Sequence, residues 1–135
     1  MPERRVVAIR GAITVESDDP SLIRGATRDL LETIARVNGL TPGDVISAIF
    51  SATTDLTSEF PARAARELGW LDVPLLCTIE MPVTNALPRC IRVLLHVESV
   101  RSRNEIEHVY LSDARALRPD LLGDHRTAAV ESGDW

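Results

Sequence analysis

The chain has 135 residues, 44% of them hydrophobic and 26% charged, with a formal charge of −5. This is the length and composition of one globular domain with a real core, and the acidic balance argues against a general nucleic-acid binder, because phosphate contacts need a net basic face. No apolar run approaches the ~20 residues of a membrane span, and the opening MPERRVVAIRGAITV lacks the apolar stretch and cleavage site of a secretion signal.

In chain order, residues 5–15 (RVVAIRGAITV) are rich in β-branched side chains and predict a first strand. Alternation puts Val6, Ala8, Arg10 and Ala12 on one face and Val7, Ile9, Gly11 and Ile13 on the other. Asp19 is then the N-cap of a helix with Pro20 in its first turn. Ile23, Ala26, Leu30, Ile34 and Val37 carry its apolar spacing, and Asn38-Gly39 ends it. TPGD is a turn, and 45–53 (VISAIFSAT) reads as a largely buried second strand. TDLTSEF is an exposed loop, after which Pro61 opens a short helix that runs to Leu68 and closes at Gly69. Strands are expected at 73–81 and 89–99, with the polar loop PVTNALP between them. VRSRNEIE is a charged connector, HVYL a short fifth strand, and DARALRPDL a short helix or turn stopped by Pro119. Residues 1–121 form the expected domain, and 122–135 a mobile tail.

This order predicts an α+β fold: a mixed sheet packed with one long and one short helix. Strands that are apolar on both faces need cover on both. One long helix covers one face, so a second subunit is expected on the other.

All fifteen basic residues are arginine, so every fixed cation is a planar fork suited to carboxylates. Arg10, Glu80 and Arg92 interrupt apolar strands, and Arg63 and Arg66 share a helical face after the exposed loop. An arginine cannot shed its proton at any useful pH, and a charge that loses water costs several kcal/mol unless it is paired. Taken singly, each arginine is accounted for by pairing with Glu80 or by snorkelling to solvent. Taken together they exceed what one carboxylate neutralises, which points to a small ligand carrying several carboxylates.

Other chemistries have little support. His96 lies mid-strand, His108 opens HVYL and His125 is in the tail, with no HExxH or HxH spacing, so no metal is expected. GxGxxG and P-loop patterns are absent, so no nucleotide cofactor is expected either. Cys77 and Cys90 read as reduced thiols of a cytoplasmic protein, Cys77 as a buried, inert one. Ser51 and Ser58 lack the setting of a nucleophile elbow. Tyr110 is either a carboxylate donor or a half-buried sheet aromatic. Phe60 either walls a pocket or staples the start of the short helix. The residues by themselves leave the reaction open.

IRGAITVESDD, FPARAARELGW, VPLLCTIEMPV, LPRCIRVLLHV and HVYLSDARALRPDL stand in the order found in AroH-class monofunctional chorismate mutases, and the chain from Ile9 to Leu121 resembles that family. The resemblance implies a homotrimer with a pseudo-α/β-barrel core and active sites between subunits. It implies the cofactor-free rearrangement of chorismate to prephenate in aromatic amino-acid biosynthesis. Arg92 would face the ether oxygen of the substrate. Glu80 would accept from the ring hydroxyl and favour positive charge developing on the ring. Arg10 and Tyr110 would grip the side-chain carboxylate, and Cys77 would contact the hydroxyl region. Phe60 and Ala62 would line the neighbouring subunit's side of the cleft, with Arg63 and Arg66 guiding or binding the ring carboxylate. Leu117 and Arg118 would lie where the C-terminal segment approaches. The family often has lysine at the position of Arg63, which keeps the charge and changes its reach, and nothing after Leu121 matches its pattern. Two alternatives are a reactive-imine deaminase on a similar trimer and a metabolite sensor without turnover. The strand motifs differ from those of the first. The second gains nothing from a carboxylate beside its anionic ligand.

Overall fold

Asp19 caps the first helix as its position requires: its carboxylate accepts the backbone N–H groups of Ser21 and Leu22 at 3.0 and 3.1 Å. The helix, α1, runs Pro20–Asn38 and stops at Gly39, whose φ of 65° lies in the left-handed region. The structure is a computed structural model that describes residues 3–117; Arg118 and the expected tail over 122–135 lie outside the described residues. The other elements are β1 (Arg5–Thr14), β2 (Val45–Ala52), α2 (Ala62–Glu67), β3 (Leu75–Ile79), β4 (Cys90–Ser99) and β5 (Val109–Leu111). Short 3-10 turns occupy Pro42–Asp44, Arg103–Glu105 and Ser112–Ala116.

The strands form one mixed sheet in the order β3-β2-β4-β1-β5. β4 runs antiparallel to both β1 and β2, while β5 is parallel to β1 and β3 is parallel to β2. The expected α+β class, with one long and one short helix on a mixed sheet, is what forms. Two boundaries differ. β3 is shorter than 73–81 because Pro74 has no N–H for a ladder. The connector at 101–108 contains a 3-10 turn in which Ser102 and Glu105 form a reciprocal capping box.

Both helices lie on one face of the sheet. Ile23, Leu30, Leu31 and Ile34 from α1 and Ala62 and Ala65 from α2 share a buried cluster with Ile9, Ile13, Phe50, Ile91, Val93, Leu95 and Val97. Gly11 lets α1 approach closely: a Cβ there would lie 2.8 Å from Ile34 Cδ1, 3.1 Å from Leu30 Cδ1 and 3.3 Å from the Val109 carbonyl oxygen.

β2 is less buried than its apolar sequence implies. A bulge between Val45 and Ser47 shifts its register against β4. Val45 and Ala48 therefore both face the core, and Ser47, Ile49 and Ser51 turn to the other side. That second face carries no α-helix among the described residues, only the 3-10 turn Ser112–Ala116 near β5. Val6, Ile49 and Leu76 stand on it with exposures of 60%, 37% and 59%.

Candidate active site

One row of side chains crosses the helix-free face. Arg92 on β4 pairs in register with Ser51 of β2 on one side and Ala12 of β1 on the other, and Ala12 pairs in turn with Tyr110 of β5. Paired residues share a face, and a small side chain at position 12 leaves room between the guanidinium and the phenol ring. Arg92 is only 9% exposed. Glu80 follows the end of β3, where its N–H continues the ladder by donating to the Ala52 carbonyl at 2.9 Å. Its carboxylate accepts the Ser51 hydroxyl at 2.6 Å, and the same oxygen lies 3.4 Å from Arg92 Nε. The acid, the serine and the arginine thus form one assembly rooted in three adjacent strands.

Arg92 and Glu80 open into a hollow of about 770 Å³, walled by Thr53, the 81–88 loop and Leu117. Beneath it Tyr110, 2% exposed, packs with Ala12, Cys90, Ala114 and Leu117, and Leu87 of the loop rests on the cluster. Burial pushes the Cys90 thiol up to about 11, which makes it a packing group and not a nucleophile.

The start of β4 is held firmly. Arg89 sits at a φ of 48°, a conformation that costs a residue with a Cβ roughly 1–2 kcal/mol. Its N–H donates to the Asp55 carboxylate at 3.0 Å and its Nε to the Val15 carbonyl at 3.0 Å. Thr53 exchanges backbone and side-chain hydrogen bonds with Cys90, each at 3.0 Å. These contacts fix the strand three residues before Arg92.

Phe60 and Cys77 lie elsewhere in the chain. Together with Thr57, Ser58 and Thr78 they line a second hollow of about 400 Å³, which shares Thr53 with the first. Cys77 pairs with Phe50 and Thr78 with Ser51, so alternation turns Cys77 toward the helix side of β3, away from the face of Arg92. Phe60 is 68% exposed. Its loop is tied down by Asp18, whose carboxylate accepts the Thr57 and Ser58 N–H groups at 3.1 Å and their hydroxyls at 3.0 and 2.8 Å. These donors, the Ser58 hydroxyl above all, hold the Asp18 carboxyl below its ordinary range. The Phe60 N–H, followed by the Arg24 guanidinium at 2.7 Å, does the same for Glu59.

Arg63 and Arg66 are exposed on α2, with Arg63 Nη1 3.7 Å from Glu59. Ala62 is buried in the main core. Arg10 is half-buried on the same face as Ala12, and it lines a third hollow of about 590 Å³ with His96 and His108. The described chain therefore unites Arg92, Glu80 and Leu117, sets Tyr110 beneath them, and leaves Phe60, Cys77, Arg63 and Arg66 apart. Among the described residues no group of three or more histidine, cysteine, aspartate or glutamate side chains is placed to hold a metal ion.

Sequence reasoning considers Ser51 only as a nucleophile and sets it aside, and it does not single out Thr53 or the 81–88 loop as walls of a site. Ser51 becomes visible as the partner of Glu80 only once β3 is placed beside β2, a parallel pairing that joins strands far apart in the chain.

Residues 6–121 match the family model described as chorismate mutase type I. The chain is 50% identical over 117 residues to chorismate mutase AroH of Thermus thermophilus, spanning 86% of this chain and 96% of that protein. It is 48% identical over 114 residues to chorismate mutase AroH of Bacillus subtilis (strain 168), spanning 84% and 90%. Among solved structures, the chorismate mutase from Clostridium thermocellum matches with a TM-score of 0.81 at 44% identity, over 82% of this chain and 99% of that one.

Proposed function

The chain belongs to the chorismate mutase type I family, and on that premise we propose how its side chains carry the reaction. The enzyme isomerises chorismate to prephenate. One C–O bond of an ether breaks while one C–C bond forms within the same molecule, and nothing is exchanged with the protein. What the protein supplies is therefore geometry and charge.

Arg92 faces the ether oxygen and stabilises the negative charge that gathers there as the C–O bond lengthens. The observation that carries this reading is its setting: a permanently charged guanidinium, 9% exposed, on the central strand β4, opening into the largest of the hollows described here. A preorganised cation in a dry site does not reorganise during the reaction, and removing such a donor costs roughly 3–4 kcal/mol of barrier. Glu80, oriented by the Ser51 hydroxyl, accepts from the ring hydroxyl and favours positive charge developing on the ring. Arg10 and Tyr110 hold the side-chain carboxylate, and Leu117 closes one wall.

The remaining site residues come from a second subunit. The enzyme assembles as a homotrimer in which the Phe60–Cys77 hollow of one subunit closes over the Arg92–Glu80 hollow of the next. Cys77 then meets the hydroxyl region of the substrate, Phe60 and the Ala62 segment wall the cleft, and Arg63 and Arg66 meet the ring carboxylate. Two features support this: the apolar side chains left bare on the helix-free face, and the exposure of Phe60 beside an unfilled hollow. Arg118 has its place in this reading as part of the C-terminal approach to the site. The free thiols of Cys77 and Cys90 suit a reducing cytoplasm, where we place the enzyme, in phenylalanine and tyrosine biosynthesis.

The test follows the loss of chorismate absorbance with purified protein and no added cofactor. Wild type is expected to turn over, and Arg92→Ala to lose about a hundredfold to a thousandfold in kcat while the oligomer, read by light scattering, survives. Citrulline at position 92 keeps the shape and removes the charge, so it should be nearly as impaired. Normal turnover by Arg92→Ala sinks the assigned role. Binding of chorismate without turnover in wild type would leave a sensor.

A further inference from the structure

β5 is only three residues long, and its ladder with β1 begins at the pair Gly11–Val109. The N–H of Arg10, one residue before, is met instead by a side chain: His108 Nδ1 accepts it at 3.0 Å. A ring nitrogen that accepts carries no proton, so this contact requires the tautomer with its hydrogen on Nε2. The histidine thus supplies the rung that the short strand lacks.

The ring is itself well placed to hold that position. Asn38, buried at the end of α1, clamps the preceding residue from both sides. Its Nδ2 donates to the Glu107 carbonyl at 2.9 Å and its Oδ1 accepts the Glu107 N–H at 2.8 Å. The ionisable groups lining the hollow around His108 are Arg5 and Arg10 from β1, His96 from β4 and Arg103 from the preceding turn. Glu107 is its chain neighbour, the turn after β5 carries Asp113 and Arg115, and α1 packs on the opposite face of the sheet. The rest of the hollow's lining, Val6, Val7, Ala8 and Leu94, is apolar.

We propose that His108 is a positioning residue: its neutral Nδ1 fixes the backbone of Arg10 and so the root of the side chain that grips the substrate carboxylate. This inference rests on the Arg10 role proposed above. Arg10 would hold the carboxylate equally in the ground and transition states, so its misplacement shows in KM and not in kcat.

His108→Phe fills the space without an acceptor, and His108→Asn keeps an acceptor oxygen close to the place of Nδ1. His108→Phe is expected to raise KM roughly fivefold with kcat changed by less than about twofold. His108→Asn is expected to bring KM back near the wild-type value. Nitrogen NMR of the wild-type ring at neutral pH should show a bare Nδ1 and a protonated Nε2, a readout that does not depend on any variant folding. The inference is overturned if His108→Asn is as impaired as His108→Phe, if His108→Phe binds normally, or if Nδ1 carries the proton. Arg10→Ala separates the two levels: it should raise KM by about tenfold or more. An unchanged KM in that variant overturns the Arg10 role and this inference with it. A raised KM beside a normal His108→Phe overturns this inference alone.

Discussion

Ser51→Ala tests whether the orientation of Glu80 matters to the reaction. The substitution removes one hydroxyl, the donor 2.6 Å from Glu80 Oε2, and leaves the Arg92 pair at 3.4 Å in place. A hydrogen bond to a charged group contributes about 1.5–3 kcal/mol net. The Glu80 side chain keeps 24% of its exposure, so water replaces part of what is lost and the lower end, about 1.5 kcal/mol, applies. That corresponds to roughly tenfold in rate. Glu80 is proposed to act on charge that develops during the reaction, so the loss belongs in kcat, with KM nearly unchanged. The assay is steady-state loss of chorismate absorbance, fitted for both constants and run beside a thermal melt. The melt should fall by roughly 5 °C, because the same hydrogen bond contributes to the fold, and the assay is run well below it. Ser51→Thr keeps a hydroxyl and should stay within about threefold of wild type in kcat. A Ser51→Ala enzyme with wild-type kcat, or one impaired only through KM, refutes the reasoning.

Gly11→Ala is expected to destabilise by about 1–3 kcal/mol, since the new Cβ meets Ile34, Leu30 and a backbone carbonyl at 2.8–3.3 Å; urea denaturation reads this directly, and no change in midpoint would show that α1 gives way freely. Asp18 is charged in the folded protein at pH values where the unfolded chain already binds a proton. Its contribution to stability is therefore present above the ordinary carboxylate pKa of about 4 and lost as pH falls through the lower folded value. Urea midpoints taken from about pH 6 down to about pH 2 should fall less steeply for Asp18→Asn than for wild type; parallel curves would remove Asp18 from the acid limb. Iodoacetamide at pH 8, followed by mass spectrometry, should leave Cys90 unmodified in the native protein, because burial pushes its thiol up to about 11. Equal labelling of Cys77 and Cys90 before denaturation would contradict that.

The parts of this fold legible in the sequence are those set by neighbours along the chain. α1 is written in full by Asp19, Pro20, the apolar spacing and Gly39, and the structure places each where local chemistry requires. Arg92 and Glu80 stand out because charges inside apolar strands are rare enough to need a reason. What the sequence withholds depends on pairing across the sheet. Nothing local says that Ser51 lies beside Arg92, or that Ala12 separates Arg92 from Tyr110. The bulge at Ile46 breaks the alternation that would have assigned faces on β2. Cys77 and Glu80 are three apart, a spacing of opposite parity in a strand, and the structure opens them into different hollows.

The distribution of arginines separates two physical jobs. Arg24 and Arg28 on α1 meet Glu59 and Glu67 at 2.7 and 2.9 Å, and Arg4 meets Asp44 at 2.6 Å. These partly exposed pairs are screened by solvent and contribute little to stability. Among the described arginines Arg92 is the buried one, and burying it is a poor way to stabilise a fold, since a well-packed apolar residue of similar volume does at least as well. A charge fixed on the central strand is what the role proposed for Arg92 requires. Glu80 pairs with the Arg92 Nε at 3.4 Å, and the Ser51 hydroxyl, donating at 2.6 Å, holds the same carboxylate oxygen in place. On the role proposed for Arg92, a second acid in the row would stabilise the empty enzyme more and the reaction less. The small, neutral side chain of Ala12 on the other flank of Arg92 adds no further charge to the row.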